Sequence, residues 1–221
     1  MDFGYIQTIL PALLQGTVQT LKIFVFTLLF SLPLGLPIAF GTMSRIAPIK
    51  LLSKAYVWVF RGTPLMLQIF FFYYYIPIFT PIKIDRLPAA VFTFVLNYAA
   101  YFAEIYRAGI QSVGRGQREA AKSLGFSYWQ TMRMVVIPQA IRQIIPPVSN
   151  EVITLIKDTA LVYVIGVPEL MKAARDANNR DVNPMAYLIA AIIYLLLTFV
   201  FTLLSQWLEK RYSRHERTDA V

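Results

Sequence analysis

Three ionisable residues lie in an otherwise apolar stretch of the sequence, from about 143 to 168: Glu151, Lys157 and Asp158. Glu151 and Asp158 are seven positions apart, so on a helix they share nearly the same face, with Thr154 between them. Carboxylates and an ammonium at close quarters could bind a ligand that carries both a cationic and an anionic group. The alternative is an ion pair between Lys157 and a carboxylate that only locks neighbouring helices together.

A second polar cluster lies in the apolar stretch from about 87 to 108. Asn97, Tyr101 and Glu104 fall at positions i, i+4 and i+7 of one helix face, and Tyr98 follows Asn97. These groups could contact a ligand, or they could join helices at about 0.6 kcal/mol per hydrogen bond. The predicted ligand-binding residues from both clusters are Asn97, Tyr98, Tyr101, Glu104, Glu151, Thr154, Lys157 and Asp158.

The sequence shows no constellation for catalysis or metal binding. It has no cysteine, and its single histidine, His215, lies in a charged tail. A glycine-rich phosphate loop, a GxSxG nucleophile elbow and an HExxH zinc motif are all missing from the sequence. We therefore predict no catalytic residue, no metal site and no cofactor bound by this chain, and we expect that it is not an enzyme.

Apolar helices must hold these polar clusters. The chain has 221 residues, of which 57% are hydrophobic, and a mean hydropathy of +0.55, which is too apolar for a soluble domain of this size. About 20 apolar helical residues cross a membrane, where an ionisable group costs at least ~2.5 kcal/mol and is usually functional. The sequence predicts an all-α membrane protein, one domain over 1–221, with spans at about 17–44, 62–82, 87–108, 143–168 and 184–208. We expect the shorter segment from Phe3 to Gln15 to be an interfacial helix or a frayed leader.

The charges between the apolar stretches predict the orientation of the chain. The net charge is +9, and the basic residues gather between 45 and 61, between 107 and 142, and in the tail from 210 onwards. Short cytoplasmic loops carry such an excess, so the N-terminus is predicted to lie outside and the C-terminus inside. The same rule accounts for the basic charge without nucleic acid, which is therefore not an expected partner.

The segment from about 111 to 138 has the pattern of two helices joined by an elbow. Strong helix formers precede Gly125, which tolerates the left-handed conformation that closes a helix. Ser127 and Gln130 form a capping-box pattern at the start of the second helix, and Pro138 predicts its end. Such a pair at a membrane surface is suited to docking into a partner, whereas the alternative is an ordinary connecting loop.

Four stretches together resemble the permease subunits of polar amino acid ABC importers of bacteria. They are RGTPL at 61–65, LNYAAYFAEIYRAGI at 96–110, the EAA segment at 119–138 and NEVITLIKDTAL at 150–161. One departure is mild, because Ile137 stands where the EAA motif usually has leucine. The resemblance implies a type I importer permease fold with five transmembrane helices in the bacterial cytoplasmic (inner) membrane. It also implies that the inward faces of the third and fourth spans line the path of the amino acid.

The resemblance further implies the partners of the chain. The segment at 111–138 would dock on a cytoplasmic ATP-binding subunit, which would hold the ATP and Mg²⁺. A second permease subunit, identical or related, would complete the path, and an extracytoplasmic amino-acid-binding protein would deliver the substrate. The residues that this assigns to coupling with the ATPase are Glu119, Ala120, Ala121, Gly125 and Pro138.

These observations predict the transmembrane subunit of an ATP-driven importer of a polar amino acid. A basic or neutral substrate is favoured because the three carboxylates of Glu104, Glu151 and Asp158 outnumber the ammonium of Lys157. The alternative is a secondary transporter or a channel that works without an ATPase. Such transporters commonly contain internal repeats, and no convincing repeat is found in this sequence.

Overall fold

The computed structural model describes residues 3–81 and 83–213, and every regular element in these ranges is a helix. The predicted all-α fold class is therefore confirmed. The basic tail from residue 214 onwards, including His215, lies outside the described residues. The helices are α1 (Phe3–Met43), α2 (Ala47–Gly62), α3 (Leu65–Phe79), α4 (Arg86–Ser112), α5 (Arg115–Ser123), α6 (128–158), α7 (Leu170–Asp181) and α8 (Met185–Ser213).

Helix α4 forms the centre of the bundle. Its buried aromatic residues Phe94, Tyr98 and Phe102 belong to the main hydrophobic core. Helix α1 packs closely along it at Gly35, where an added Cβ would lie 2.9 Å from the Cβ of Phe102. Only glycine permits this approach, so the contact fixes how α1 and α4 cross.

The prediction for the N-terminal segment is wrong, because the residues from Phe3 to Gln15 continue into α1 without a break. A helix of 41 residues is about 60 Å long, roughly twice the hydrocarbon thickness of a membrane. Ile9 and Leu13 are buried in a small second core against Leu170 and Ala174 of α7. This tertiary contact stabilises the N-terminal turns that the sequence alone leaves ambiguous.

The number of spans is close to the predicted five. Among the described residues, three helices are long and apolar enough to cross a membrane: Gly4–Met43, Arg86–Ser112 and Met185–Tyr212. Helices α2 and α3 together form a fourth candidate, bent by 107°. The remaining predicted span, at 143–168, corresponds to α6 and the 3₁₀ helix Thr159–Ile165, which are not among these candidates. Five is therefore an approximate count.

The basic segment between the first two spans is a helix and not the predicted loop. Helix α2 covers Ala47–Gly62, and α3 starts after the break at Thr63 and Pro64. Proline restricts the preceding residue to extended conformations, and Thr63 has φ −117° and ψ 144°. The chain therefore turns sharply beside Arg61, at the point where the second span was predicted to begin.

The elbow in the predicted docking segment is confirmed. Gly125 has φ +80°, in the left-handed region, directly after α5 and Leu124. The backbone N–H of Gln130 donates to Ser127 Oγ (3.3 Å), and the backbone N–H of Ser127 donates to Gln130 Oε1 (2.8 Å), which completes the capping box. The two helices on either side of the elbow therefore end and begin as the sequence predicts.

The predicted helix end at Pro138 is wrong. Helix α6 runs through Tyr128–Thr131, a π turn at Met132–Val136 and then Ile137–Asp158. Within it the backbone N–H of Ile137 donates to the carbonyl of Met132, five residues earlier. This wider turn accommodates a proline ring that would clash in a regular helix. Helix α3 has the same feature, because the π turn Phe71–Tyr75 directly precedes the turn that contains Pro77.

Candidate functional site

A cavity of about 430 Å³ lies where the break between α2 and α3 faces α4 and α6. Six of the eight predicted ligand-binding residues line it. The other lining residues are Arg61 and its neighbours in the break, from Gly62 to Leu65. The two polar clusters found in the sequence therefore meet in space, although their role in binding stays a prediction. The six are Asn97, Tyr98, Tyr101, Glu151, Thr154 and Asp158.

The two carboxylates of α6 face this cavity together. The hydroxyl of Tyr98 donates to Asp158 Oδ2 at 2.8 Å, and Tyr98 is itself buried in the core. This hydrogen bond fixes the Asp158 carboxylate against α4. Glu151 lies two helical turns earlier on the same face and is half-buried. The cavity wall thus carries two carboxylates that a cationic group could approach.

Glu104 and Lys157 do not line this cavity. Glu104 accepts a hydrogen bond from Arg107 Nε (2.9 Å) and lies 4.0 Å from Arg61 Nη1. Lys157 is exposed, about 100° around the helix from Asp158. It forms no salt bridge with a carboxylate anywhere in the described ranges. The ion pair considered as the alternative role of Lys157 is therefore absent from that part of the chain.

The positive charge at the cavity comes from Arg61, which belongs to a basic segment and to the RGTPL stretch but was not among the predicted ligand-binding residues. Its guanidinium lies 5.2 Å from the ring centroid of Tyr101, within the range of a cation–π contact. Arg61 is in the last turn of α2, where the helix dipole favours a cation. A signal was present in the sequence, because Arg61 directly precedes the Gly-Thr-Pro break and the apolar stretch of the second span.

Gln68 is a second residue that sequence reasoning missed. Its amide nitrogen donates to the carbonyls of Phe60 (2.9 Å) and Thr63 (3.1 Å) and to Thr63 Oγ1 (2.8 Å). The amide nitrogen of Asn97 donates to the carbonyl of Phe60 (3.0 Å) and to Gln68 Oε1 (3.0 Å). We call Gln68 and Asn97 the amide clamp.

The amide clamp satisfies carbonyls that the end of α2 leaves without a partner. Both side chains are buried, so their hydrogen bonds hold the break between α2 and α3 in a fixed shape. The amide nitrogen of Asn97 already donates both of its hydrogens within the clamp. Asn97 therefore holds the cavity wall in place and has no free N–H to donate to a ligand. The signal in the sequence was a single polar side chain, Gln68, within an apolar run.

A separate surface is formed by the corner between α5 and α6. Leu124 and Tyr128 are exposed there, and Trp129 is exposed over 78% of its surface. Glu119 and Ala120 of α5 also face outwards, while Ala121 on the same helix is buried. Exposed large apolar side chains grouped in this way mark a site of interaction with another molecule. We call this surface the α5–α6 corner.

Comparison with known proteins identifies the family. The model of the family described as "Binding-protein-dependent transport system inner membrane component" matches residues 31–214. The chain belongs to this family. The match covers α2 to α8 and the second part of α1, and therefore includes both the cavity and the α5–α6 corner.

Curated relatives of this permease extend over almost its full length. It is 38% identical over 211 residues to the L-cystine transport system permease protein TcyB of Bacillus subtilis, covering 95% of this chain and 90% of the relative. It is 37% identical to the arginine transport system permease protein ArtQ of the same organism, covering 98% and 99%. The glutamate/aspartate import permease protein GltK of Escherichia coli is 36% identical, with 95% and 97% covered. The resemblance to amino acid ABC importer permeases is confirmed.

Solved structures show the same fold for this permease. A crystal structure of an amino acid ABC transporter with histidines has a chain that matches with a TM-score of 0.90 and 39% identity, over 96% of this chain and 99% of that chain. The MetNI methionine ABC transporter matches in an inward-facing conformation with a TM-score of 0.72 and 18% identity, over 96% and 100%. The predicted importer permease fold is therefore confirmed.

Replacing Gln68 by leucine is expected to destabilise the permease. The change removes both hydrogen bonds to Thr63 and the partner of one N–H of the buried Asn97 amide, which still donates to the Phe60 carbonyl. An unsatisfied buried group costs about 1–3 kcal/mol, and each lost hydrogen bond about 0.5–1.5 kcal/mol. A loss of about 2–3 kcal/mol would lower the Tm by roughly 4–12 °C, measured on the purified protein in detergent. Gln143→Leu is the matched control, because Gln143 is exposed on α6. Equal melting temperatures for the two variants would show that the clamp does not hold the break.

Proposed function

We propose that this permease is the transmembrane subunit of an ABC importer that translocates a basic or neutral polar amino acid. The observation that carries the proposal is the cavity, which Arg61 lines together with Glu151 and Asp158. An α-amino acid carries an ammonium and a carboxylate a few ångströms apart. The two carboxylates suit the ammonium, and Arg61 suits the carboxylate through charge-assisted hydrogen bonds.

The charge balance of the cavity supports the proposed substrate class. Two carboxylates against one guanidinium leave an excess of one negative charge when a zwitterion is bound. A cationic side chain would offset this excess, whereas an anionic one would enter against it. The charge balance predicted from the sequence included Glu104 and Lys157, which lie outside the cavity. Without them the cavity still carries more negative than positive charge. The relatives' names cover cystine, arginine and glutamate/aspartate, so they do not choose among charge classes.

The proposal includes three partners. The exposed apolar side chains of the α5–α6 corner fit a groove on a cytoplasmic ATP-binding subunit, which would bind ATP and Mg²⁺ and hydrolyse the ATP. A second permease subunit, identical or related, would complete the path. An extracytoplasmic binding protein would deliver the amino acid, in keeping with the family's description. This chain would bind no cofactor and would not itself be an enzyme.

The decisive experiment is ATP hydrolysis by the assembled transporter. The permease is reconstituted in lipid with its ATP-binding and amino-acid-binding subunits, and each of the 20 amino acids is added in turn. We expect arginine, lysine, histidine or a neutral polar amino acid to stimulate hydrolysis and to accumulate inside the vesicles. Stimulation by glutamate or aspartate alone would contradict the proposed substrate class. Accumulation without ATP would instead indicate a secondary transporter.

We also propose that the α5–α6 corner lies on the cytoplasmic side, with the N-terminus outside and the C-terminus inside. Lys50 and Arg118 line one cavity and so lie at the same end of the bundle. Arg86 and Gly166 approach each other elsewhere, with an added Cβ on Gly166 lying 3.2 Å from Arg86 Nη1. Both pairings agree with the sides that the basic bias predicts for these segments.

Accessibility labelling of single cysteines checks this orientation, and the chain has no native cysteine to interfere. We expect cysteines next to Lys50, Arg118 and Arg214 to react only with a reagent that enters the cell. Cysteines next to Lys83 and Arg175 should react with an impermeant reagent. If the labelling of any of these segments were reversed, the proposed orientation would be wrong.

A further inference from the structure

A second and larger cavity, of about 1320 Å³, opens beside the α5–α6 corner. Its walls come from the end of α1, the turn that follows it, the length of α2, the end of α4, Arg118 of α5 and the first turns of α6. It is distinct from the proposed amino acid cavity, with which it shares only Arg61 and Gly62. We call it the basic cavity.

The basic cavity has a strong excess of positive charge. Glu104 is the one carboxylate among its lining residues, and it is already bound by Arg107. Lys50 and Lys54 lie one helical turn apart on the same face of α2, and neither forms a salt bridge within the described part of the chain. The basic residues that line the cavity are Arg45, Lys50, Lys54, Arg61, Arg107 and Arg118.

Large apolar side chains lie next to these cations on α2. Leu52 is exposed over 72% of its surface and Trp58 over 77%, and Leu51 and Ile49 are exposed as well. In a membrane protein, tryptophan beside lysine and arginine is typical of the depth at which lipid headgroups meet the acyl chains. Helix α2 therefore presents a cationic wall and an apolar surface within a few residues of each other.

We propose that the basic cavity binds the phosphate headgroup of an anionic phospholipid, whose acyl chains lie against the exposed apolar side chains of α2. Basic pockets between membrane helices bind such headgroups on the cytoplasmic side, where anionic lipids attract clustered lysine and arginine. Lys50 and Lys54 are the central ligands, because they line the cavity and have no carboxylate partner there. The apolar surface beside them favours a lipid over a free phosphate ion.

The test measures binding of a fluorescent phosphatidylglycerol to the assembled transporter in detergent, without amino acid or nucleotide. The K50Q/K54Q double variant should bind this lipid roughly 30-fold more weakly, because each basic side chain contributes about fivefold. K50R/K54R should bind it normally, since the charges are kept. The matched control K210Q/R211Q removes two exposed positive charges from the last turn of α8, outside the cavity, and should leave binding unchanged.

Competition distinguishes a lipid from a soluble anion. Unlabelled phosphatidylglycerol should displace the probe, whereas phosphatidylcholine, glycerol 3-phosphate and inorganic phosphate should not. Unchanged binding in K50Q/K54Q, or an equal loss in K210Q/R211Q, would overturn the proposal. Displacement by inorganic phosphate at concentrations similar to those of the lipid would assign the cavity to a soluble anion and would also overturn it. Because neither nucleotide nor amino acid is present, these results do not depend on the proposed transport function.

Discussion

Asp158→Asn is expected to lower uptake of a cationic amino acid by roughly 10- to 150-fold. Asparagine keeps the size of the side chain and an oxygen that can accept the hydrogen bond from the Tyr98 hydroxyl. The change therefore removes one negative charge from the cavity without emptying space. A hydrogen bond to a charged group contributes about 1.5–3 kcal/mol, which corresponds to the stated loss. The measurement is initial uptake of radiolabelled arginine into vesicles that contain the assembled transporter.

Thr154→Ser is the matched control for this prediction. Thr154 lines the same cavity between Glu151 and Asp158, and serine keeps the hydroxyl while removing a methyl group. We expect its uptake to change by less than about fourfold, since a methylene contributes about 0.8 kcal/mol or less. Uptake of glutamine by Asp158→Asn should fall less than uptake of arginine. If Asp158→Asn transported arginine as well as the unaltered protein, the assignment of Asp158 to the substrate would be refuted.

Gly125→Val is expected to abolish most transport while the protein still inserts in the membrane. Gly125 has φ +80°, and a β-branched side chain in this left-handed conformation costs on the order of 1–2 kcal/mol or more. No atom outside its immediate neighbours lies within 4 Å of an added Cβ, so the expected effect comes from the backbone and not from a clash. Relieving the strain would redirect the start of α6 and displace Trp129 from its proposed docking position. When ATP hydrolysis and transport are measured in the same vesicles, the amount of amino acid transported for each ATP hydrolysed should then fall.

Gly116→Val provides the control for the elbow. Gly116 lies in α5 of the same segment, has no neighbour within 4 Å of an added Cβ and does not have a positive φ. Valine has a higher helix propensity than glycine, so the change should not disturb α5, and transport should stay above about half of the normal rate. Co-purification of the ATP-binding subunit with each variant separates failed docking from failed folding. Normal transport by Gly125→Val in a stable complex would rule out the proposed role of the elbow.

The features that the sequence predicted correctly depend only on residues a few positions apart in the chain. The capping box at Ser127 and Gln130 and the left-handed Gly125 require only neighbours within a few residues, and both are present. Helical periodicity placed Glu151, Thr154 and Asp158 on one face, and the structure brings that face to a single cavity. The same periodicity explains why Lys157, one position away from Asp158, lies outside it.

Features that depend on contacts between distant parts of the chain could not be predicted from local sequence patterns. A proline predicts the end of a helix, but the π turn before Pro138 accommodates it and α6 continues. The first turns of α1 are helical because α7 covers Ile9 and Leu13, and no local pattern shows this cover. The partners of Asn97 are the carbonyl of Phe60, 37 positions away, and Oε1 of Gln68, 29 positions away, so no local pattern reveals its part in the clamp.

The unbroken course of α6 has a thermodynamic consequence. One helix about 45 Å long begins at the α5–α6 corner, beside Trp129, and ends at Asp158 in the proposed amino acid cavity. A tilt of only about 5° over that length displaces one end by about 4 Å relative to the other. If a protein tilts α6 when it docks, it therefore changes the affinity of the cavity at Asp158 for its ligand. Since linkage between two binding equilibria is reciprocal, the ligand must change the affinity for that protein by the same factor.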